Sequence, residues 1–205
     1  MIYLDHNATT PLDPLVLDAM MPFLTEAFGN AASRHHTLGC SAATAVETAR
    51  EQVASVIGAD PREIVWASGA TESDNLALHG VAHAPIYKKR HIVTVTTEHR
   101  AVLDTCEHLE HQGFAVSYLG VSADGLLDLD YLATVITDQT LLVSVMHANN
   151  ETGVLQPITE IGALCRERGV LFHTDATQSF GKEPIDVHEM HVDLLSASAH
   201  KIHGP

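Results

Sequence analysis

The sequence is poor in basic residues and in long apolar runs, and each shortage argues against a class of function. Its 11 lysines and arginines stand against 26 aspartates and glutamates, so the formal net charge is −15 at pH 7. That charge repels polyanions, which argues against nucleic acid and anionic membranes as partners. No apolar run could span a bilayer, and the opening MIYLDHNATT lacks the features of a secretion signal. The sequence therefore predicts a cytoplasmic protein.

Cysteine is also scarce, and the histidines show no metal-binding spacing. Cys40, Cys106 and Cys165 are far apart and form no CxxC pair, which argues against a disulfide framework or a zinc knuckle and predicts buried free thiols. Fifteen histidines are present, but HEMH (188–191) and HLEH (108–111) lack the HExxH spacing that places two imidazoles on one helical face. We therefore predict that the protein has no metal site.

The apolar pattern predicts an α/β fold. Two stretches with helical spacing come first, PLVLDAMMPFLTEAFG and SAATAVETAREQVASVIG, and the second stops at Gly58. Six predicted strands then alternate with amphipathic stretches: EIVWAS, HIVTVT, FAVSYL, TLLVSVM, VLFHTD and VDLLSAS. Because these runs are apolar throughout, we expect a doubly wound, mostly parallel sheet that is buried on both faces. No linker or repeat interrupts the chain, so residues 1–205 are predicted to lie in one domain.

Candidate functional residues follow the predicted strands, because ligands of open α/β sheets bind at the carboxyl ends of the strands. In SGATES, small residues with the Ser68 and Thr71 hydroxyls lead into a helix and would suit a phosphate, although a simple helix cap is the commoner explanation. The other strand-end candidates are His99, Asn150, Asp175, Gln178, Ser198, His200 and Lys201. Each has a simpler explanation as a cap or a turn residue, but together they resemble a site for one cofactor.

Pyridoxal phosphate is the cofactor whose needs these residues meet. It requires a lysine for a Schiff base, an acidic partner for the pyridinium nitrogen, a stacking ring and a phosphate cradle. Lys201, Asp175, His99 and SGATES supply these groups. The segment from Asp175 to Lys201 leaves room for one crossover between neighbouring parallel strands, so we expect both side chains to reach one crevice.

These motifs resemble the class V, fold-type I pyridoxal phosphate enzymes, and among them the cysteine desulfurases of iron–sulfur cluster assembly and nitrogenase maturation. The resemblance runs through the whole chain in YLDHNATTP, FGN, SGATES, TEH, NNETG, DATQSFGK and SASAHKIHGP. It implies an enzyme that converts L-cysteine to L-alanine and an enzyme-bound persulfide, from which a sulfur acceptor or scaffold protein receives sulfur. It also implies a cytoplasmic homodimer.

The resemblance implies a role for each candidate residue. Lys201 would carry the Schiff base, and His99 would stack on the ring. Asp175 would meet the pyridinium nitrogen, Gln178 the ring hydroxyl, and Asn150 the ring or the substrate carboxylate region. The phosphate would be held by Ala70, Thr71, Ser198 and His200. Departures from the usual pattern occur at Asp74, Thr152 and Ala199, and none of them removes a functional group.

Length is the large departure, since relatives are expected to be about twice as long as this chain. The chain is therefore expected to hold an N-terminal segment and an incomplete cofactor-binding domain, without the small C-terminal domain. The persulfide-forming cysteine of the family would lie beyond Lys201, and Cys40, Cys106 and Cys165 fall on predicted helices. A truncated chain of this kind is expected not to desulfurate cysteine alone.

Two alternatives stay open at this point. The chain could be another class V enzyme, such as an aminotransferase or a selenocysteine lyase, although YLDHNATTP with DATQS favours a desulfurase. It could also be an inactive split or truncated chain that acts as an assembly partner for another half.

Overall fold

In the computed structural model of this chain, residues 2–205 are described. The helices are α1 (Pro14–Thr25), α2 (Thr37–Ile57), α3 (Ala70–His83), α4 (Arg100–His111), α5 (Leu129–Val135) and α6 (Ile158–Arg168). The strands are β1 (His91–Val95), β2 (Ala115–Leu119), β3 (Thr140–Ser144), β4 (Leu171–Asp175) and β5 (Leu194–Ser196). Within residues 2–205, no helix combines the length and the apolar character needed to cross a membrane.

All five strands form one parallel sheet in the order β2–β1–β3–β4–β5. The register pairs Ser144 with His173 across β3 and β4, and Asp175 with Ser196 across β4 and β5. Because the strands run in one direction, their carboxyl ends meet at one edge of the sheet. The prediction of a doubly wound, parallel α/β fold is confirmed.

Both faces of the sheet are buried, which explains the unbroken apolar runs in the sequence. Alternate residues of each strand point to opposite faces, so Ile92 and Leu142 pack in one cluster with side chains of α3 and α4. Val93, Val143 and Phe172 pack in the other cluster with side chains of α5 and α6. All five residues of β3, the central strand, are buried.

The contacts of the chain divide into two compact units. The first holds the N-terminal residues through Trp66 together with Pro184–Asp186 and Ala199–Pro205. The second holds Ala67–Glu183 and Val187–Ser198, and it contains the whole sheet with α3 to α6. The single domain over residues 1–205 stays a prediction.

Each of the two helices of the first unit has a capping residue of a favourable type at one end. Asp13 caps α1, because its carboxylate accepts a hydrogen bond from the backbone N–H of Leu15 at 2.7 Å. The helix α2 ends at Gly58, which has a φ of +70°, a conformation that glycine adopts at little cost. A Cβ atom at this position would lie 2.6 Å from a carboxylate oxygen of Asp186.

The predicted strand EIVWAS is wrong, so the sheet has five strands rather than six. Glu63 ends a short 3-10 turn. Ile64 has an extended backbone, but the residues that follow form no β-ladder. A strand is defined by hydrogen bonds to a neighbour, and no strand of the described chain pairs with this segment. Val65 and Trp66 are 67% and 49% exposed. The Ile64 carbonyl accepts a hydrogen bond from the Arg50 guanidinium rather than from a neighbouring strand.

Replacing Gly58 by alanine is expected to destabilise the protein by about 1–2 kcal/mol, because a side chain at positive φ is strained. Gly80 is the matched control, since it lies inside α3 and a Cβ atom there would have no neighbour within 4 Å. Gly80→Ala is expected to stabilise by about 0.5–1 kcal/mol through the better helix propensity of alanine. Urea unfolding of both variants measures the difference, and the same sign of change in both would contradict the role given to Gly58.

Candidate active site at the carboxyl edge of the sheet

The carboxyl ends of the parallel strands bring four of the candidate residues to one edge of the second unit. His99 follows β1, Asn150 follows β3, Asp175 ends β4 and Ser198 follows β5. The order of the strands places β1, β3, β4 and β5 side by side, so these residues line one continuous edge. Gln178 lies in the turn after β4 and is 9% exposed.

The N-terminal part of α3 lies near the same edge, because Asp74, the fifth residue of this helix, has a carboxyl oxygen 3.6 Å from the ring of His173, two residues before the end of β4. Its N-cap residue is Gly69, and no side chain caps the helix. The first backbone N–H groups, which include those of Ala70 and Thr71, therefore lack a side-chain partner of the usual capping kind. The Ser68 N–H donates to the Glu72 carboxylate at 2.5 Å instead, so the helix-cap explanation of SGATES does not hold. An uncapped helix N-terminus suits an anion such as a phosphate group.

Asp175 is held firmly at the end of β4. Its side chain is 5% exposed, and one carboxylate oxygen accepts a hydrogen bond from the Thr177 N–H at 2.9 Å. Its backbone carbonyl accepts from the His147 N–H at 3.0 Å, which ties it to the segment after β3. The next residue, Ala176, donates to the Ser196 carbonyl of β5 at 2.8 Å. The carboxylate therefore has a fixed position between two neighbouring strands.

The loops that carry His99 and Asn150 are joined to each other. The Asn149 side-chain amide donates to the Thr97 carbonyl at 2.9 Å, and the Met146 N–H donates to the Glu98 carboxyl at 2.6 Å. His99 caps α4, since its Nδ1 accepts from the Ala101 N–H at 3.1 Å, and its ring is exposed. The simpler explanation of His99 as a helix cap is thus present in the structure, while the exposed ring stays available to a ligand.

Two further carboxyl groups are buried near Asp175. Asp74 on α3 is 0% exposed, and burial together with the charge of Asp175 raises its pKa to about 8. Glu98 is 6% exposed, and burial followed by the charges of Asp175 and Asp74 raises its pKa well above the usual range. Like charges so close together disfavour simultaneous ionisation. Burial and the neighbouring charges therefore favour the neutral form of both Asp74 and Glu98.

His200 and Lys201 belong to the first unit, in the short 3-10 turn Ala199–Lys201. The His200 carbonyl accepts hydrogen bonds from the backbone N–H and the hydroxyl of Thr10, both at 2.8 Å. Its Nδ1 lies 3.1 Å from the Thr9 hydroxyl. The motif YLDHNATTP is therefore bonded to the motif SASAHKIHGP within this unit. The meeting of Lys201 with Asp175 in one crevice stays a prediction.

The three cysteines lie on helices, as the sequence predicts. Cys106 on α4 and Cys165 on α6 are buried, and burial raises the pKa of each thiol to about 12. Cys40 on α2 differs from the expectation of buried thiols, because it is exposed and its thiol contacts the Arg34 carbonyl at 3.4 Å. None of the three stands on a loop that could approach and leave a reacting group.

Three site residues escaped the sequence analysis as candidates: Asp74, Glu98 and His173. His173 could have been noticed, because it is a polar residue at an inward position of the apolar run VLFHTD. Asp74 and Glu98 gave no such signal, since acidic residues near the start of a helix are commonly solvated. Their burial depends on packing between segments that are distant in the sequence.

The doubly wound parallel sheet, with an uncapped helix N-terminus and a buried acid at its carboxyl edge, places the chain in the class of α/β proteins whose ligands bind at the carboxyl ends of parallel strands. The family comparison is specific within that class. The chain matches the family "Aminotransferase class-V" over residues 2–205. The chain therefore belongs to the class-V aminotransferase family, whose enzymes depend on pyridoxal phosphate.

Two relatives that the chain matches are both named cysteine desulfurases. The chain is 57% identical to "Cysteine desulfurase IscS" of Rickettsia felis over 204 residues, which are 100% of this chain and 50% of that protein. It is 58% identical to "Cysteine desulfurase, mitochondrial" of Drosophila melanogaster, with 44% of that protein covered. Among solved structures, "SspA in complex with cysteine" matches 100% of this chain and 59% of its own, with 43% identity and a TM-score of 0.96. The chain thus spans about half the length of the relatives that it matches.

The thiols are expected to differ in reactivity by at least about 100-fold, because the thiolate is the reacting form and burial suppresses it. Cys40 should react rapidly with a disulfide reagent at pH 8, while Cys106 and Cys165 react only after denaturation. The release of the reagent chromophore measures both phases. Cys40→Ala is the control, which should remove the fast phase alone, and a fast phase that persists in this variant would contradict the assignment.

Proposed function

We propose that this chain carries the cofactor site of a pyridoxal phosphate-dependent cysteine desulfurase. The observation that carries the proposal is the buried carboxylate of Asp175 at the end of β4, on the same sheet edge as the uncapped N-terminus of α3. A fixed anion and an anion-binding helix end are the groups that a pyridinium ring and a phosphate require. The relatives that are named cysteine desulfurases support this choice within the family.

The phosphate would be held at the start of α3. The backbone N–H groups of Ala70 and Thr71 and the Thr71 hydroxyl would donate hydrogen bonds to its oxygens. Ser198 and His200 would add donors from the segment after β5. A phosphate at this point would meet the partial positive charge of a helix N-terminus.

The ring would lie over the ends of β1, β3 and β4. Asp175 would pair with the ring nitrogen and keep it protonated, because a neighbouring anion raises the pKa of a base. Gln178 would contact the ring hydroxyl, and Asn150 would contact the ring or the substrate carboxylate region. The exposed imidazole of His99 would pack on one face of the ring. These four residues belong to one unit, so their mutual positions are fixed by one sheet.

Bound pyridoxal phosphate supplies an electron-withdrawing ring that makes the α-carbon of an amino acid acidic. Lys201 would attach the cofactor covalently, and its amine would then move a proton at the α-carbon of the substrate. In the overall reaction, L-cysteine and a thiol give L-alanine and a persulfide. The C–S bond of the substrate breaks, an S–S bond to the thiol sulfur forms, and the carbon that loses sulfur gains hydrogen.

The same proposal includes a substrate and protein partners. A solved relative is described as "SspA in complex with cysteine", which supports L-cysteine as the substrate. A sulfur-acceptor protein would receive the persulfide sulfur, and the active enzyme would be a cytoplasmic homodimer. The attacking thiol would come from a mobile segment, because Cys106 and Cys165 are buried and poorly ionised and the exposed Cys40 stands on the helix α2 rather than on a loop.

Pyridoxal phosphate is expected to attach at Lys201. The chain should turn yellow on addition of the cofactor, and borohydride should bleach the colour by fixing the cofactor to the lysine. Peptide mass mapping should then find the added pyridoxyl mass on Lys201. Lys201→Ala should lose the modification and Lys182→Ala should keep it, whereas a modification on Lys88, Lys89 or Lys182 would sink the assignment.

Replacing Asp175 by alanine is expected to impair the chemistry more than the retention of the cofactor, because phosphate contacts dominate retention. Exchange of the α-hydrogen of L-alanine for deuterium, followed by NMR, reports electron withdrawal by the ring without needing the attacking thiol. The exchange rate should fall by roughly 100-fold or more, while cofactor affinity falls by less than about tenfold. Asp104→Ala, on the exposed side of α4, is the control, and full exchange activity in Asp175→Ala would contradict the role.

A further inference from the structure

A row of buried polar side chains crosses the sheet directly before the end of β4. His173 lies at its centre, with Nδ1 2.8 Å from the Ser144 hydroxyl on β3 and Nε2 3.1 Å from the Ser196 hydroxyl on β5. His173, Ser144 and Ser196 are all 0% exposed. The imidazole therefore joins three neighbouring strands inside an otherwise apolar layer.

Asp74 of α3 completes this row. Its Oδ1 lies 3.6 Å from His173 Nε2, and both side chains are fully buried. That distance is too long for a hydrogen bond, and within the described residues neither buried carboxyl oxygen of Asp74 has a hydrogen-bond partner. Asp175 follows two residues after His173 on the same strand, so the two side chains point to the same face of the sheet.

The charge states of the two groups follow from burial. Burial lowers the pKa of His173 to about 4, although the charge of Asp175 opposes this shift. Burial, followed by the charge of Asp175, raises the pKa of Asp74 to about 8. Glu98, which faces Asp175 and Asp74 from the loop before α4, is also driven towards its neutral form. Both shifts therefore favour the neutral form of each group, because full burial disfavours the charged form.

A neutral pair at this place has a consequence for Asp175. A protonated His173 would repel a second cation and so would oppose protonation of a ring nitrogen that pairs with Asp175. An ionised Asp74 would add a second buried negative charge without a partner, which is costly. Neutrality of both groups avoids these costs and concentrates the local negative charge on one carboxylate.

We propose that Asp74 and His173 are positioning residues for Asp175, which form an uncharged buried pair that fixes the end of β4. This inference rests on the proposed function, because it assigns the pair a role toward the ring nitrogen of the proposed cofactor. The pair touches neither the cofactor nor the substrate in this assignment. It acts through the position and the charge of Asp175.

The chain offers a matched control in His91. Its Nδ1 lies 2.8 Å from the Thr140 hydroxyl on β3, and its Nε2 lies 3.0 Å from the Ser117 hydroxyl on β2. His91 thus joins three strands by hydroxyl groups as His173 does, but it stands at the first residue of β1, at the opposite end of the strands from Asp175. His91 is only half-buried, so it controls for the strand-joining hydrogen bonds and not for full burial.

The first experiment measures the charge of His173 in the cofactor-free chain by ¹⁵N NMR of its imidazole, assigned with His173→Gln. The expected result is a neutral imidazole from pH 5 to pH 7.5 that stays neutral in Asp74→Asn, since burial lowers its pKa to about 4. An imidazolium in this range that disappears in Asp74→Asn would show an ion pair and overturn the proposal. This measurement does not depend on whether the cofactor binds.

The second experiment compares His173→Ala with His91→Ala by titration with pyridoxal phosphate, followed by absorbance. His173→Ala should reduce the absorbance band of the protonated ring while cofactor affinity falls by less than about tenfold, no more than in Asp175→Ala. His173→Gln should restore part of the band, and His91→Ala should leave both the band and the affinity unchanged. Equal effects of the two alanine substitutions, or no effect of either, would show that His173 has no positioning role toward Asp175 and would overturn the proposal. If His173→Ala does not fold, the NMR result and His173→Gln decide the question. If the wild-type chain binds no pyridoxal phosphate, the proposed function fails, and the NMR result still reports the charge of the pair.

Discussion

The carboxyl group of Asp175 is buried at the end of β4, and the surrounding groups are arranged around the cost of keeping a polar group there. An isolated buried carboxylate would be unstable without hydrogen bonds or a compensating partner. The Thr177 N–H supplies a hydrogen bond, and burial, followed by the charge of Asp175, raises the pKa values of the neighbouring Asp74 and Glu98 carboxyls. Asp175 is thereby prepared for a cationic partner, which a protonated pyridine ring would provide.

The parallel direction of the strands brings the candidate residues together at one edge of the sheet. Each crossover returns the chain to the same edge, so residues that are far apart in the sequence meet without long loops. His99, Asn150 and Asp175 reach the edge from three adjacent strands. The hydrogen bonds of Asn149 to Thr97 and of Met146 to Glu98 then fix two of the loops to each other. Such fixed loops suit a cofactor whose ring must be held in one orientation.

Much of this architecture is predictable from the sequence because its signals are local. Apolar runs such as TLLVSVM and VLFHTD give the buried strands β3 and β4, and the residue after each run gives a candidate for the site. The segment EIVWAS has the same local signal but forms no strand, because pairing depends on a neighbour that the signal does not contain. Asp74 was not predictable as a buried acid, since its burial depends on contact between α3 and the distant strand β4. The approach of Lys201 to Asp175 likewise depends on long-range packing and stays a prediction.

The protonation state of the ring nitrogen tests the central role of Asp175 most directly. Pyridoxal phosphate labelled with ¹⁵N at the ring nitrogen can be added to the wild-type chain and observed by NMR between pH 7 and pH 8. The account predicts a protonated nitrogen throughout this range, with loss of the proton in Asp175→Ala. An unprotonated nitrogen in the wild-type chain, or a protonated nitrogen that is indifferent to the substitution, would contradict it.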